Sequence, residues 1–216
     1  MSTLDDKAKN MEGQEADCKC NCSNTIMASF VIGLAASLIF GWVIFPKLLY
    51  SQKRQPVDYN HAIHLGLVDN GCQSCHFYRE DGSFSGIPKL ENCAQCHESM
   101  QGETEAEKIL VEKYVQQGRE VPWLVYARQP DCVFFSHATH TERSRLDCVV
   151  CHGHIGTSTS TPIYEENRIT GVSRDIWGRN IAGIKMNSWD RMKMDDCAEC
   201  HMEMAGKKDA CFVCHK

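Results

Sequence analysis

The apolar residues of the chain form one uninterrupted block near the N-terminus, and beyond it they are scattered among polar positions. Residues 26–45 (IMASFVIGLAASLIFGWVIF) contain no charged side chain and are followed by Pro46 and Lys47. A helix of about 20 residues, rising about 1.5 Å per residue, spans about 30 Å, which is the thickness of a bilayer core. The block therefore predicts a transmembrane anchor at residues 25–46, preceded by a tail at residues 1–24.

The flanks of this block favour an anchor that stays in the mature protein over a cleaved signal peptide. A signal peptide has a shorter apolar region with a small-residue cleavage site after it. Here Trp42 and Tyr50 stand where interfacial aromatic residues are found. Small residues recur at every fourth position of the block, namely Ser29, Gly33, Ser37 and Gly41. This stripe favours close packing against another membrane helix, although Gly and Ser are common in membrane helices generally.

The longest helix predicted after the anchor lies in residues 102–118 (GETEAEKILVEKYVQQG). Thr104 and Glu107 have the spacing of a capping box at its start, and Gly118 stands where the helix would end. Elsewhere the pattern predicts short helices, long loops and little or no sheet. Residues 156–190 form a long loop by this criterion, rich in turn-forming residues and containing two tryptophans.

Fourteen cysteines and ten histidines among 216 residues change this picture. Ten of the cysteines form C-x-x-C pairs, and a histidine directly follows each pair. The five motifs are CQSCH (72–76), CAQCH (93–97), CVVCH (148–152), CAECH (197–201) and CFVCH (211–215). The formal net charge of −5 is mild and spread along the chain, which argues against a nucleic-acid partner.

C-x-x-C-H is the attachment motif of c-type haem. Two thiols on one turn add across the two vinyl groups of a haem, and the adjacent histidine reaches the iron from the same side. The predicted covalent anchors are Cys72, Cys75, Cys93, Cys96, Cys148, Cys151, Cys197, Cys200, Cys211 and Cys214. The predicted proximal iron ligands are His76, His97, His152, His201 and His215. Zinc, the alternative for paired C-x-x-C motifs, does not require a histidine after every pair.

Five histidines remain for the other side of five irons. YNHAIHLGLVDNGCQSCH (59–76) and FSHATHTERSRLDCVVCH (135–152) share an aromatic residue, H-x-x-H and C-x-x-C-H at the same offsets, which indicates an internal duplication. Histidines at i and i+3 lie on one face of a helical turn, so each H-x-x-H is expected to ligate two neighbouring haems. The predicted distal ligands are His61, His64, His137, His140 and His154.

The fifth distal ligand and the number of haems stay open at this level. His154, in CHGHIG, either ligates an iron or hydrogen-bonds a haem propionate. The alternatives for the fifth iron are an open position or a methionine, which would raise its potential; the candidates are Met192, Met194, Met202 and Met204. Cys132 is either a small buried hydrophobe or the single attachment point of a sixth haem, with His137 as its proximal ligand.

Residues 51–216, shared by five haems, can bury little apolar surface of their own, so the porphyrins are expected to form the core. The predicted fold is a class III-like multihaem cytochrome c with short helices, long loops and little β. A first haem module at residues 51–101 holds haems 1 and 2, and residues 102–130 are a linker helix and connection. A second module at residues 131–216 holds haems 3–5 and, in the alternative, the sixth. Its long loop, residues 156–190, is either a partner surface or a cover over haem edges.

Haem attachment also predicts the compartment. Because c-type haems are joined to protein outside the bacterial cytoplasm, residues from about 51 onward are expected in the periplasm and residues 1–24 in the cytoplasm. Lys47, Lys53 and Arg54 lie on the periplasmic side, against the positive-inside tendency, and the haem chemistry outweighs this statistical rule. The cysteines of CKCNC (Cys18, Cys20 and Cys22) would then lie in a reducing space that disfavours a disulfide. A metal or lipid site is their alternative, and the sequence assigns them no role.

The anchor, the five haem motifs and PDCVFFSHATH (130–140) followed by C-V-V-C-H-G resemble the multihaem cytochrome subunit of the alternative complex III family, in particular its menaquinone reductase (Qrc) branch. The resemblance covers nearly the whole chain, and PD-x-V-x-F-S-H-x-x-H is its more selective element. In that family the cytochrome works beside a molybdopterin-oxidoreductase-like protein, an iron–sulfur protein and multipass quinone-binding membrane subunits. Cys132 departs from the expected pattern and leaves the choice between five and six haems open.

The resemblance implies an electron-transfer subunit that relays electrons between a soluble periplasmic cytochrome c and the quinone-side subunits. Menaquinone reduction would then be the reaction of the whole complex, with no substrate chemistry on this chain. The alternative is a stand-alone membrane-anchored multihaem quinol dehydrogenase, which the duplicated H-x-x-H pairs and the fifth motif fit less well. A multihaem nitrite or hydroxylamine reductase needs an open iron in a pocket with acid–base groups, and the sequence contains no C-x-x-C-K motif.

Overall fold

The computed structural model describes residues 22–173, 185–206 and 211–215. The chain divides into two compact units, residues 1–46 and residues 47–216. Cys18 and Cys20, most of the predicted N-terminal tail and part of the loop at 156–190 lie outside the described residues.

The apolar block forms a continuous helical segment. It consists of α1 (Cys22–Ile39), a π-helical turn (Phe40–Ile44) and α2 (Phe45–Leu49). The stretch Asn24–Leu49, 26 residues, is long and apolar enough to cross a membrane, so the helix runs three residues past the predicted end of the anchor. The backbone N–H of Phe45 donates to the carbonyl of Phe40 in the wide π register. This register accommodates Pro46, which has no N–H and whose ring crowds the carbonyl four residues before it.

The helices of the second unit are short, as the sequence predicts, and several carry a haem motif. The described α-helices are α3 (His61–Leu65), α4 (Leu90–His97), α5 (Glu105–Leu110), α6 (Val149–His152), α7 (Met194–Ala205) and α8 (Cys211–Cys214). They are supplemented by 3₁₀ turns at Gly71–Ser74 and Ile155–Thr157 and by π-helical turns at Val111–Val115 and Ala138–Arg143. The expected class of fold, short helices and long loops with little β, is confirmed.

A two-stranded antiparallel sheet joins the start of the second unit to the long loop. Strand β1 (Tyr50–Lys53) pairs with β2 (Tyr164–Asn167), with Tyr50 opposite Asn167 and Lys53 opposite Tyr164. Lys53 also forms an ion pair of 2.9 Å with Glu166. Part of residues 156–190 is therefore a strand rather than loop. The sequence concealed it because YEEN has one aromatic and no β-branched residue, and its pairing partner lies more than 100 positions away.

The predicted linker helix is present but shorter and differently capped. Helix α5 begins after Thr104, whose hydroxyl accepts a 3.2 Å hydrogen bond from the N–H of Glu107. The π turn then continues the helix to Val115, and Gly118 ends the segment with φ +57°. The reciprocal half of the capping box is replaced, because the Glu107 carboxylate accepts instead from the N–H groups of Gln101 and Gly102.

The polypeptide buries few apolar side chains, in line with a core supplied by cofactors. The main cluster of buried apolar side chains in the described chain lies beside α5 and comprises Val57, Leu110, Tyr114 and Val121. Cys93 of the second haem motif packs against this cluster. The linker segment thus positions the second motif, whereas the other motifs lack an apolar cluster of this kind among the described residues.

Candidate haem-binding centres

The two copies of the duplicated segment have the same local geometry. In the first copy Tyr59 stacks on His64, with ring centres 4.3 Å apart, and meets His61 edge-on at 4.7 Å. In the second copy Phe135 stacks on His140 at 4.4 Å and meets His137 edge-on at 4.9 Å. One aromatic ring therefore fixes the orientation of both histidines in each H-x-x-H.

Backbone hydrogen bonds orient the second histidine of each copy in the same way. Nδ1 of His64 lies 2.7 Å from the carbonyl oxygen of Asn60, and Nδ1 of His140 lies 2.8 Å from that of Ser136. Since Nδ1 donates to the backbone, Nε2 is left as the coordinating atom and faces away from the helical turn. The duplication seen in the sequence therefore extends to the positions of the coordinating nitrogens.

Each of these oriented histidines faces the proximal histidine of a haem motif. The ring centres of His64 and His97 lie 6.1 Å apart, and those of His140 and His201 also lie 6.1 Å apart. His137 lies 6.4 Å from His152 with the two rings almost parallel, at 3°. His137 and His152 belong to the same duplicated segment, whereas the other two pairs join segments 33 and 61 positions apart.

The separation of these rings fits a metal ion between them. Two imidazoles that bind one metal at about 2 Å per bond have ring centres roughly 6 Å apart. Within the described ranges 22–173, 185–206 and 211–215, no three His, Cys, Asp or Glu side chains converge as they would around a bare metal ion. The arrangement suits a haem, which supplies four of the iron's ligands itself, and does not suit a zinc ribbon.

The remaining member of the first H-x-x-H, His61, lies near the histidine of the first motif. Burial lowers the pKa of His61, and the neighbouring imidazoles of His76 and then His64 lower it further. Nδ1 of His61 lies 3.1 Å from the hydroxyl of Ser158, and Nδ1 of His76 lies 2.7 Å from the carbonyl oxygen of Gly86. The four histidines of the two H-x-x-H pairs thus match motifs one to four.

Proximity between cysteines identifies which motifs are neighbours. Burial raises the pKa of Cys93, and the nearby thiol of Cys75 raises it further. Burial likewise raises the pKa of Cys75, and the nearby thiol of Cys96 raises it further. The second motif therefore adjoins the first. Burial also raises the pKa of Cys148, and Cys72 adds to this effect, so the first motif adjoins the third.

Cysteines of the third, fourth and fifth motifs also lie near one another. Burial raises the pKa of Cys151, with a further contribution from Cys200. Burial, then Asp196, then Cys214 raise the pKa of Cys197. The third motif thus adjoins the fourth, and the fourth adjoins the fifth. The spatial order of the motifs is 2–1–3–4–5, which differs from their order in the sequence.

The histidine of the fifth motif faces a methionine. Nε2 of His215 lies 3.1 Å from Sδ of Met194, and Nδ1 of His215 lies 2.9 Å from the carbonyl oxygen of Cys132. His154, the histidine considered for this position, packs edge-on against Trp189 with ring centres 5.4 Å apart. The structure therefore brings Met194 to the fifth motif, and ligation by His154 stays a prediction.

Cys132 lies beside the fifth motif through its backbone, and its side chain is exposed rather than buried. The N–H of Phe134, two residues on, donates to the carbonyl of Cys214 at 2.8 Å. His137, the proximal ligand considered for a sixth haem, faces His152 of the third motif. The exposure of Cys132 does not fit its interpretation as a small buried hydrophobic residue.

Comparisons with known proteins agree with this site. The Class III cytochrome C family matches residues 45–121. The chain is 37% identical to the "Menaquinone reductase, multiheme cytochrome c subunit" of Nitratidesulfovibrio vulgaris, over 99% of this chain and the whole of that protein. The chain belongs to this family of multihaem cytochrome c subunits. The resemblance drawn from the haem motifs and from PDCVFFSHATH is confirmed.

One side chain of this multihaem cytochrome reaches a proximal histidine in a way that sequence reasoning missed. Oε1 of Glu107 lies 2.9 Å from Nδ1 of His97, and the carboxylate is 9% exposed. The pKa of Glu107 is held below its usual value, chiefly by the hydrogen bond from the N–H of Gln101. Burial acts in the opposite direction. The N–H of Gly102 and the imidazole of His97 lower the pKa further. The capping-box pattern concealed this role, because it assigns the carboxylate of Glu107 to its own helix.

The turn after the third motif requires glycine, which gives a first prediction. Gly153 has φ +63°, and a Cβ there would lie 2.9 Å from Cδ1 of Trp189. We expect Gly153→Ala to lower the free energy of unfolding by about 2–3 kcal/mol, through backbone strain and displacement of the indole. Gly206→Ala is the comparison, since Gly206 has a similar φ of +64° but lies in the left-handed helical region, with ψ +18° against −162° at Gly153, and has open space around it. Denaturant unfolding of both variants measures the difference, and equal losses would show that neither the backbone conformation of Gly153 nor the Trp189 contact adds to the cost.

Proposed function

We propose that this cytochrome is the periplasmic electron-transfer subunit of a membrane quinone oxidoreductase complex. It would carry electrons through five c-type haems between a soluble periplasmic cytochrome c and the quinone-side subunits, with menaquinone reduction as the reaction of the complex. The observation that carries the proposal is the set of facing imidazoles at 6.1–6.4 Å, each pair joining a C-x-x-C-H motif to a duplicated H-x-x-H. The relative named above, a menaquinone reductase subunit, supports the assignment to such a complex.

The proposed ligand sets follow from the facing rings for haems 2, 3 and 4 and from the proximity of the two imidazoles for haem 1. His61 with His76 would hold the iron of haem 1, His64 with His97 that of haem 2, His137 with His152 that of haem 3, and His140 with His201 that of haem 4. Each motif supplies two thioether bonds from its cysteines. Each H-x-x-H then holds two neighbouring haems at a spacing fixed by one helical turn.

The protein's part in electron transfer is to fix ligation, spacing and potential. When bound, each haem supplies one-electron chemistry at its iron. Tyr59 and Phe135 hold the paired histidines in fixed orientations, and the hydrogen bonds from Nδ1 to the backbone keep each ring in the tautomer that coordinates through Nε2. Because the distal ligands are held before any electron arrives, little reorganisation accompanies the change of charge.

The order of the motifs supports a single unbranched path. Haem 2 would exchange electrons with haem 1, haem 1 with haem 3, haem 3 with haem 4, and haem 4 with haem 5. Tyr78, two residues after the first duplicated segment, and Thr141 of the second share a hydrogen bond between their hydroxyl groups. Phe84 stacks on His137 with ring centres 4.1 Å apart, again joining the first module to the second. The path therefore has two ends, at haem 2 and haem 5.

The apolar helix would anchor the subunit in the inner membrane, with the haem domain in the periplasm and residues 1–24 in the cytoplasm. We retain the module boundaries at 51–101, 102–130 and 131–216 within this proposal. Gly33 and Gly41 have open space where a Cβ would lie, which suits close approach by a helix of a multipass quinone-binding subunit. The molybdopterin-oxidoreductase-like and iron–sulfur subunits would complete the complex.

The test uses the purified full-length chain in detergent. Intact mass after denaturation should show five covalent haems, and a sixth increment would place another on Cys132. The ferric chain should be low-spin and should exchange electrons with a small soluble cytochrome c. We expect no quinone reduction or quinol oxidation by the chain alone; such activity would instead identify the stand-alone quinol dehydrogenase. Absence of a Soret band would contradict the proposal altogether.

A further inference from the structure

We propose that Met194 is the second axial ligand of the iron bound by His215, so that haem 5 has histidine–methionine coordination. This proposal rests on the haem attachment proposed above and adds a ligand to it. The proposal is based on the distance of 3.1 Å between Sδ of Met194 and Nε2 of His215. Nδ1 of His215 faces the carbonyl oxygen of Cys132 at 2.9 Å, so the imidazole presents Nε2 to the methionine.

The two donor atoms need only a small separation to admit an iron. Metal bonds to imidazole nitrogen and to sulfur are about 2 Å each, so the two atoms would lie about 4 Å apart with a metal between them. The pair must therefore open by about 1 Å. Met194 is the first residue of α7 and is 53% exposed. Its side chain has three rotatable bonds, so no backbone movement is required.

Helix α7 then serves two haems, as each H-x-x-H does. Its residue His201 faces His140 in the proposed haem 4, and its first residue, Met194, faces His215 of the fifth motif. The fourth and fifth motifs are neighbours through Cys197 and Cys214. In this scheme haems 1 and 2 share one H-x-x-H turn, haems 3 and 4 share the other, and haems 4 and 5 share helix α7. Methionine in place of a second histidine would raise the reduction potential of haem 5 above that of the same haem with two histidine ligands.

The test is spectroscopic and uses the full chain with its haem content measured by mass. Ferric haem with a thioether ligand has a weak far-red charge-transfer band, and the reduced form has a strongly upfield-shifted methionine methyl resonance. We expect both signals in the native chain and their loss in Met194→Leu. Met202→Leu, on the same helix, should keep both. Met194→His should restore a low-spin haem 5 with a lower potential and without the band.

The outcomes separate this inference from the proposed function. If the native chain carries five low-spin haems but lacks the band, Met194 is not a ligand although the electron-transfer proposal stands. A band that survives Met194→Leu also overturns the inference. If Met194→Leu fails to accumulate, Met194→His decides, since a retained band in that variant excludes Met194. A chain without covalent haem contradicts the proposed function itself.

At the other end of the path, we infer that Glu107 is a positioning residue that lowers the potential of haem 2. Its carboxylate accepts the hydrogen bond of His97 Nδ1 at 2.9 Å, whereas four other imidazoles direct Nδ1 to a backbone carbonyl. A carboxylate at this position increases the negative character of the imidazole and so stabilises ferric iron more than a carbonyl does. The N–H groups of Gln101 and Gly102, at 2.6 and 2.8 Å, hold the carboxylate in place.

A pair of glutamates on one helical turn provides the test. Glu107→Gln keeps an acceptor of similar shape but removes the charge, and we expect the potential of haem 2 to rise. Glu105→Gln removes the same charge from an exposed neighbour and should shift that potential much less. Redox titration followed by EPR gives the values, with haem 2 assigned from a Cys93→Ala, Cys96→Ala variant that lacks it. Equal shifts in the two glutamine variants, or no shift in either, would overturn the inference.

Discussion

Removal of haem 3 is expected to divide the cytochrome into two groups of haems that no longer exchange electrons. In a Cys148→Ala, Cys151→Ala variant, haems 2 and 1 remain on one side and haems 4 and 5 on the other. The expectation follows from the order of the motifs, since Cys148 adjoins Cys72 and Cys151 adjoins Cys200. Haem 3 is therefore the central member of the path. A Cys211→Ala, Cys214→Ala variant loses an end member instead and keeps four haems in one group.

Both variants carry four haems if the remaining motifs are loaded, so haem number does not distinguish them. A stopped-flow experiment with a reduced soluble cytochrome c as electron donor distinguishes them. The measured quantity is the fraction of the haem that becomes reduced in the first kinetic phase. The variant without haem 5 should be reduced throughout at nearly the native rate, provided that the donor docks at haem 2. The variant without haem 3 should stop at half its haem. Full reduction of the latter at the native rate would show that the path is branched or ordered differently.

The sequence predicted the local parts of each site well because those parts are encoded within a few residues. The spacing of H-x-x-H places two imidazoles on one helical turn, and the aromatic residue two positions before it packs on both rings. C-x-x-C-H likewise fixes two thioethers and a ligand within five residues. The duplication therefore predicts four distal histidines, and the facing rings indicate which motif three of them belong to.

What the sequence did not predict depends on contacts between distant segments. Four methionines were equivalent candidates for the fifth iron, and only the packing of α7 beside α8 distinguishes Met194. His154 was the remaining histidine for that iron, and in the structure its ring packs edge-on against Trp189. The role of Glu107 was hidden for a similar reason, since its partner His97 lies in another helix.

The ligands proposed at the two ends of the path would give it a direction. The carboxylate on the axial histidine would lower the potential of haem 2, and the methionine ligand would raise that of haem 5. Electrons would then move downhill from haem 2 to haem 5. The proposed soluble donor would accordingly dock near haem 2. Glu91 and Glu98 flank the second motif, and Glu120 accepts a hydrogen bond from the N–H of Leu90 in the same helix. These carboxylates would attract a basic partner. Haem 5 would face the quinone-side subunits.

The buried Asp196 is expected to carry the largest stabilising contribution of any ion pair described near haems 4 and 5. Its Oδ1 lies 3.0 Å from Nζ of Lys185 and 3.0 Å from Nε of Arg191, with the carboxylate side chain 6% exposed. Its Oδ2 accepts from the N–H of Lys193 at 3.0 Å, which caps the start of α7. Although burial alone would raise the pKa of Asp196, the hydrogen bonds from Lys185 and Lys193 hold it below its usual value.

Asp196→Asn keeps the shape of the side chain but removes the buried charge that Lys185 and Arg191 share, and breaking such a pair costs up to about 3–5 kcal/mol. Glu199→Gln is the control, because Glu199 also pairs with Lys185, at 2.8 Å, but its side chain is 61% exposed; its loss should cost at most about 0.5 kcal/mol. Denaturant unfolding of haem-loaded protein compares the two free energies. Since Asp196 caps the helix that begins with Met194 and carries His201, its loss should also weaken the far-red band before the chain unfolds. Equal unfolding energies for the two variants would show that the burial of Asp196 contributes nothing to the stability of α7.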